Sequence, residues 1–283
     1  MKYIKLMRIK HYIKNILFVF IPLIFSMNFM NVDLVLTSIY AFVAFSFSAS
    51  IVYIVNDIFD AEKDRQHPKK KHRPIASGQV GIPQAIALVC LLVIVIVAMV
   101  VTCLNVKTGI IILIYVIMNL AYSFKLKHVV LVDVLIIAIG FILRIYAGAY
   151  AIEVAVSEWL LLTAFAVSLF LGFGKRYGEK AKIQDGNTRK VLSQYDSESL
   201  KIFIVISMTL TIVFYSLYTI LGNSNLTNSI FTIPLVVIGM FRYYMLLEGN
   251  INDGDPTEVI LNDRIIQIIV VAYATLVLLL MGV

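Results

Sequence analysis

Residues 34–64 of the chain read LVLTSIYAFVAFSFSASIVYIVNDIFDAEKD. The stretch opens with an apolar run of about 20 residues, the length that a helix needs to cross a bilayer. It closes on the pattern Asn-Asp-x-x-Asp-x-x-x-Asp, from Asn56 to Asp64. The sequence therefore predicts a transmembrane helix with an acidic cluster at one end.

Similar apolar runs recur along all 283 residues, of which 60% are hydrophobic and 14% charged, with a mean hydropathy of +0.92. A soluble domain carries about 25% charged residues. We therefore predict an all-α polytopic membrane protein, formed as a single domain over residues 1–283. Hydropathy predicts nine helices, at residues 15–31, 34–60, 82–104, 108–124, 129–150, 157–176, 200–221, 230–247 and 265–282.

Lysine and arginine are distributed unevenly between the two sets of loops, and this predicts the orientation. One set comprises the N-terminal residues 2–14 and residues 63–73, 125–127 and 175–201, and it holds nearly all of the loop cations; the other holds Lys107 and little else. We expect a multi-pass protein of the cell inner or plasma membrane, with its N-terminus cytoplasmic and its C-terminus outside. The net charge of +7 is then mostly this bias and does not indicate nucleic-acid binding.

The acidic helix end predicts a metal site. At 100° per residue, Asn56, Asp60, Asp64 and Asp57 lie at about 0°, 40°, 80° and 100° around one helix. Carboxylates that share a face at the edge of a hydrocarbon layer require a compensating cation. Mg²⁺, or Mn²⁺ in its place, binds a few carboxylate oxygens and keeps positions open for substrate phosphates. We assign these four residues as catalytic metal ligands; the alternative is a solvated helix end paired with Lys63, Arg65 and Lys69.

The motif continues with His67-Pro68 and with Arg73-Pro74-Ile75-Ala76-Ser77-Gly78. With these residues, it resembles the first signature of the UbiA superfamily of intramembrane prenyltransferases. The resemblance implies a bundle of about nine transmembrane helices around a central cavity that opens to the cytoplasmic face, where the active site would lie.

The second acidic motif of typical members is replaced here by Lys175-Arg176-Tyr177-x-Glu179. This segment resembles the polyprenyl-phosphate phosphoribosyltransferase branch of the superfamily, as do several shorter segments. They are Lys14-Asn15, Tyr53-x-Val55-Asn56-Asp57, Tyr122-x-Phe124-x-Leu126-Lys127-His128, Leu143-Arg144-x-x-Ala147-Gly148 and Pro256-x-Glu258-x-x-x-x-Asp263-Arg264. That branch implies phosphoribosyl pyrophosphate as the donor, a polyprenyl phosphate as the acceptor, and a place in cell wall biosynthesis. The products would be polyprenyl-phosphoryl-5-phosphoribose and pyrophosphate.

A site for two phosphate-bearing substrates requires cations and hydrogen-bonding groups. The candidate substrate-binding residues are Lys14, Lys70, Arg73, Tyr122, Lys127, Lys175, Arg176, Tyr177 and Glu179. Several of them could instead be topological charges or interface anchors. Arg144, inside the fifth predicted helix, could be either a structural partner or a substrate contact. The segment from Asp255 to Arg264 suggests loop structure, and the alternative is a role in supporting the site residues.

Two other functions remain open at the level of the sequence. The first is a UbiA-type aromatic prenyltransferase, which would use a polyprenyl diphosphate in a quinone or haem pathway; the missing second acidic motif argues against it. The second is a cation-coupled transporter, whose acids usually lie near the bilayer midplane on broken helices. Here the acids lie at the end of an apolar run. The oligomeric state is not predicted.

Overall fold

A computed structural model describes residues 2–68, 70–181, 190–222, 229–249, 259 and 262–280. These residues form helices, turns and loops, and no strand is present among them. The α-helices are α1 Lys2–Met7, α2 Tyr12–Val19, α3 Ile21–Phe25, α4 Val32–Phe59, α5 Ala61–Gln66, α6 Ile82–Thr102, α7 Val106–Phe124, α8 Val132–Ala151, α9 Glu158–Ala181, α10 Ser197–Leu221, α11 Ile233–Glu248 and α12 Arg264–Leu280. The predicted all-α class is confirmed.

Within these described ranges, seven helices are long and apolar enough to cross a membrane, two fewer than the nine predicted. The first predicted helix, at 15–31, is instead split into α2 and α3 at Phe20. Pro22 lies in the first turn of α3, the position that tolerates its missing N–H. The last predicted helix, at 265–282, corresponds to α12, of which the structure describes 17 residues. The chain is thus a multi-pass membrane protein.

The chain forms two compact units, Met1–Phe124 with Leu143–Ala155, and Lys125–Ile142 with Val156–Val283. Helix α8 contributes its first half to the second unit and its second half to the first. The acidic motif belongs to the first unit, and the Lys175–Glu179 segment belongs to the second. Each unit is described by itself.

In the first unit, one apolar cluster anchors the segments that flank the acidic motif. It joins Leu6 of α1 and Ile54 of α4 to Ile75 and Val80, which follow the motif in sequence. Between the last two, Gly78 has a φ of +76°, which L side chains rarely adopt. The turn allows Val80 to donate its N–H to the Pro74 carbonyl at 2.9 Å. The loop after α5 is therefore held by buried apolar side chains.

Helix α8 approaches α2 closely at Gly148. A Cβ atom at this position would overlap the carbonyl oxygen of Val19 and lie 3.0 Å from its carbonyl carbon. These are backbone atoms, which cannot rotate away. Glycine is therefore required for the packing of α8 against the end of α2.

The second unit has an apolar core built from α9, α10, α11 and α12. In the same unit, a buried polar network surrounds Asp133 at the start of α8. Its carboxylate accepts hydrogen bonds from Arg176 Nε at 2.7 Å and from the Tyr195 hydroxyl at 2.6 Å. The Tyr195 oxygen in turn accepts the N–H of Leu131 at 2.8 Å, and Lys180 Nζ donates to the Tyr195 carbonyl. We call Asp133, Arg176 and Tyr195 the second-unit brace.

Burial and the hydrogen bond to Asp133 raise the pKa of Tyr195 above its ordinary value. The phenol therefore stays protonated and continues to donate. Arg176 is 1% exposed and Asp133 is fully buried. A buried ion pair of this kind is costly unless its remaining hydrogen-bonding groups are satisfied, and Tyr195 satisfies one of them.

We predict that Gly148→Ala destabilises the protein, because the new methyl group forces α8 away from the backbone of α2. Overpacking of this kind costs about 1–3 kcal/mol. Thermal unfolding of the purified protein in detergent measures the effect. Gly239→Ala in α11 is the matched control, since its Cβ would meet only Ile269 Cγ2 at 3.4 Å. An equal loss of stability in both variants would contradict the assignment.

We predict that Tyr195→Phe lowers the free energy of unfolding by about 1–3 kcal/mol, the cost of leaving buried hydrogen-bonding groups unsatisfied. The change removes one donor to Asp133 and the acceptor of the Leu131 N–H. Unfolding midpoints in a denaturing detergent measure the loss. Tyr40→Phe, at an exposed tyrosine, controls for removing a hydroxyl. Equal midpoints for the two variants would show that the Tyr195 hydroxyl contributes nothing to stability.

Candidate functional site

The acidic motif lies where α4 ends. Asp60 interrupts the helix with φ −89° and ψ 3°, and α5 begins at the next residue. The interruption is shallow, since the Asp60 N–H still donates to the Asn56 carbonyl at 2.9 Å and the Asp64 N–H to the Asp60 carbonyl at 2.8 Å. Helical spacing thus continues through the motif.

Two of the carboxylates are buried and share one arginine. Arg73 Nη1 lies 2.6 Å from Asp64 Oδ2 and 3.1 Å from Asp57 Oδ1. Because both oxygens accept from the same nitrogen, they are no farther apart than the sum of those two distances. Asp57 is 2% exposed and Asp64 is 3% exposed. The predicted common face for these two residues is present in the structure.

A second arginine reaches the same carboxylate oxygen. Arg8 Nη2 lies 2.6 Å from Asp57 Oδ1, and its guanidinium carbon lies 4.8 Å from the centre of the Tyr53 ring. Asp57 Oδ1 therefore has a guanidinium partner from the N-terminal segment and another from the loop after α5. We call Asp57, Asp64, Arg8 and Arg73 the two-arginine cluster.

The N-terminal segment is placed by polar contacts along one face of α4. Asn15 Nδ2 donates to Ser46 Oγ at 3.1 Å, and the Tyr12 hydroxyl is 2.8 Å from Ser50 Oγ. Ser50 Oγ also donates to the Met7 carbonyl at 2.8 Å. Ser50 therefore contacts the chain on both sides of Arg8, and helical spacing along α4 brings the next polar group on this face, Asp57, to the arginine.

Arg8 itself has a left-handed backbone, with φ 54° and ψ 47°. For an L residue other than glycine this conformation costs about 1–2 kcal/mol, and the surrounding contacts must compensate for it. It separates α1 from the turn Ile9–His11. The residue with the strained backbone is thus the one whose side chain reaches Asp57.

Asn56 and Asp60, the other two predicted metal ligands, are half-buried. Carboxylate and amide oxygens are suitable donors for a hard divalent ion, so the residue types fit such an ion. Within the described ranges, however, no three acidic, histidine or cysteine side chains converge on one point that could hold a metal. A cation here would therefore take the remaining ligands from substrate phosphate and water, and would compete with the arginines for Asp57 and Asp64.

The other substrate-binding candidates of the first unit are placed as follows. Lys70 lies in an exposed turn, Lys70–His72, directly before Arg73, and its N–H faces His67 Nδ1 at 3.3 Å. Lys14 and Tyr122 are half-buried, on α2 and α7. Among the predicted substrate-binding residues, Arg73 contacts both Asp57 and Asp64 of the acidic motif.

In the second unit, the basic segment at the end of α9 is partly occupied by internal contacts. Arg176 belongs to the second-unit brace and also pairs with Glu179, at 2.9 Å. Tyr177 lies beneath Lys201, whose Nζ is 5.6 Å from the ring centre. Lys175 is half-buried on α9, and Lys127 is half-buried in the turn Leu126–His128.

Two further regions singled out in the sequence have structural partners. Arg144 is 9% exposed; its Nε donates to Asn15 Oδ1 at 2.7 Å and its Nη2 to the Tyr115 hydroxyl at 3.1 Å. Asp255 and Glu258 lie outside the described residues. Asp263 forms two hydrogen bonds with Arg242, at 2.7 and 3.3 Å, and these hold the pKa of Asp263 below its ordinary value.

Comparisons with known proteins agree with this architecture. A model of the UbiA prenyltransferase family matches residues 17–257. A decaprenyl-phosphate phosphoribosyltransferase of Mycolicibacterium smegmatis is 33% identical over 288 residues, which cover 95% of this chain and 89% of that protein. One of Corynebacterium glutamicum is 31% identical, covering 95% of this chain and 83% of that protein.

Among solved structures, a UbiA homolog from Archaeoglobus fulgidus bound to DMAPP and Mg²⁺ superposes with a TM-score of 0.74 at 16% identity, covering 100% of both chains. At that identity the likeness establishes the fold. The family model covers most of the chain, and the phosphoribosyltransferase relatives match nearly all of it. The chain belongs to the UbiA prenyltransferase family.

Proposed function

We propose that the protein transfers a 5-phosphoribosyl group from phosphoribosyl pyrophosphate to a polyprenyl phosphate, releasing pyrophosphate. The observation that carries the proposal is the similarity, over 95% of the chain, to decaprenyl-phosphate phosphoribosyltransferases. The match of the family model to residues 17–257 supports treating the chain as one UbiA-like domain. We further propose that the acidic motif and the N-terminus are cytoplasmic.

The two-arginine cluster is suited to a diphosphate. It places guanidinium groups, which bind phosphate through two parallel hydrogen bonds, directly beside carboxylates that could hold a divalent cation. When bound by Asp57, Asp60, Asp64 and Asn56, Mg²⁺ would neutralise charge that develops on the departing diphosphate. A Mg²⁺ ion in the structure of the Archaeoglobus fulgidus homolog supports this choice of metal.

In the proposed reaction, the bond between ribose C1 and the diphosphate oxygen breaks, and an oxygen of the lipid phosphate forms a new bond to C1. The electron pair of the broken bond leaves with pyrophosphate. The acceptor phosphate is already anionic at neutral pH, so a general base is not required. Arg8 and Arg73 would hold the diphosphate in place as its negative charge grows.

The second unit supports this donor over a polyprenyl diphosphate. At the position of the second acidic motif of typical prenyltransferases, the chain has Arg176, which is buried against Asp133, and Glu179, which pairs with the same arginine. The one carboxylate of that segment is thus already neutralised. This arrangement argues against a second acidic metal site of the prenyltransferase type.

The transfer is tested directly with purified protein, labelled phosphoribosyl pyrophosphate and a polyprenyl phosphate, with and without Mg²⁺. We expect a lipid-linked labelled product that forms only when the metal is present. Transfer of a prenyl group from a polyprenyl diphosphate to an aromatic acid, with no phosphoribosyl product, would refute the proposal.

We predict that Asp60→Asn lowers turnover by about 100-fold or more while the protein remains folded, because losing a direct ligand costs at least as much as losing a group that supports one. Glu62→Gln is the matched control, because it makes the same carboxylate-to-amide change at an exposed position of α5. Size-exclusion profiles and unfolding midpoints verify folding. Full activity of Asp60→Asn would move the metal site elsewhere.

A further inference from the structure

We propose that Arg8 and Arg73 neutralise Asp57 and Asp64 while the site holds no ligand. When a metal and a diphosphate bind together, the metal takes over the carboxylates, and the two arginine side chains rotate to bind the diphosphate. Arg8 is thereby assigned as a further substrate-binding residue. The inference rests on the diphosphate site proposed above, but not on which group the diphosphate carries.

The contacts of the two-arginine cluster oppose the binding of a metal on its own. Asp57 Oδ1 has guanidinium nitrogens at 2.6 and 3.1 Å, and Asp64 Oδ2 has one at 2.6 Å. These are oxygens that a divalent cation would use. A metal that arrives alone must therefore displace a guanidinium from a nearly fully buried carboxylate. The displaced arginine would lie beside the newly bound cation, and the two like charges would repel.

Charge balance in the cluster favours binding of a metal and a diphosphate together. Two carboxylates and two guanidinium groups sum to zero, which suits a cluster with little exposure to water. A bare divalent cation adds positive charge to this cluster, and a bare diphosphate adds negative charge. A metal–diphosphate pair largely cancels its own charge, so it can enter at much lower electrostatic cost. Each displaced guanidinium also gains a phosphate oxygen in place of the carboxylate oxygen that it loses.

The placement of Arg8 allows its side chain to move from the carboxylate to a phosphate. Its side chain is about a quarter exposed, whereas the Asp57 side chain that it contacts is 2% exposed. An incoming ligand can therefore reach the arginine side chain more readily than the carboxylate. Its left-handed backbone is fixed by the Ser50 contacts to Met7 and Tyr12. A partly exposed side chain held at a fixed backbone position can rotate from one anion to a neighbouring one without refolding of the segment.

The test measures Mn²⁺ binding to the full-length purified protein by electron paramagnetic resonance and calorimetry, with and without pyrophosphate. For the unmodified protein we expect weak binding of Mn²⁺ alone and much tighter binding of Mn²⁺ with pyrophosphate. For Arg8→Gln we expect these two affinities to change in opposite directions. Binding of Mn²⁺ alone becomes tighter, since a competing cation is gone, and binding of Mn²⁺ with pyrophosphate weakens by about tenfold, the usual effect of losing a charged hydrogen bond.

Two further variants sharpen the result. Lys10→Gln removes the same charge from an exposed position of the same segment and should change neither affinity. Arg8→Lys keeps the charge and should restore weak binding of Mn²⁺ alone. Parallel loss of both affinities in Arg8→Gln, or no change in either, would overturn the inference. If the unmodified protein does not bind Mn²⁺ with pyrophosphate at all, both the proposed diphosphate site and this inference are refuted.

Discussion

The first unit depends on one interaction: a single guanidinium nitrogen of Arg73 donates hydrogen bonds to both Asp57 and Asp64. Two carboxylates that are almost fully buried at the end of a membrane-spanning helix repel each other and lose hydration. Their closeness is tolerable only when a cation lies between them. The loop after α5 supplies that cation, so the position of this loop is a condition of burying the two carboxylates.

The two arginines come from separate segments, yet one apolar cluster anchors both of them. Leu6, two residues before Arg8, packs in the same cluster as Ile75 and Val80, which follow Arg73. Loss of packing in this cluster would release both cations and leave Asp57 with an uncompensated charge. Core packing and site electrostatics are therefore coupled here: apolar burial places the arginines, and the arginines allow the carboxylates to be buried.

Much of the fold was predictable, because apolar runs of spanning length and helical spacing are local properties of the sequence. The acidic face was predicted in this way, whereas Arg73 was a candidate because it is a cation in the loop that follows the motif. The partnership of Arg8 with Asp57, 49 positions away, has no local signal. A weaker signal did exist: Ser46, Ser50 and Asp57 recur at helical spacing within a mostly apolar helix, which indicates a polar partner along that face. Asp133, a lone acid among apolar residues, gave a similar signal for the second-unit brace.

The choice of arginine at positions 8 and 73 follows from the geometry of the two cations. A lysine ammonium is a compact point charge that holds its hydration strongly, whereas a guanidinium is planar, offers five N–H donors and is more weakly hydrated. Arg73 uses one nitrogen to contact two carboxylates, and Arg8 contacts Asp57 while lying over the Tyr53 ring. A guanidinium therefore loses less hydration energy than an ammonium when it lies against a buried carboxylate. Lysine is found instead at exposed positions of the same segments, such as Lys10 and Lys70, where a solvated charge is sufficient. At positions 8 and 73 the more weakly hydrated cation thus lies against a buried carboxylate, where the cost of removing water from a charge is greatest.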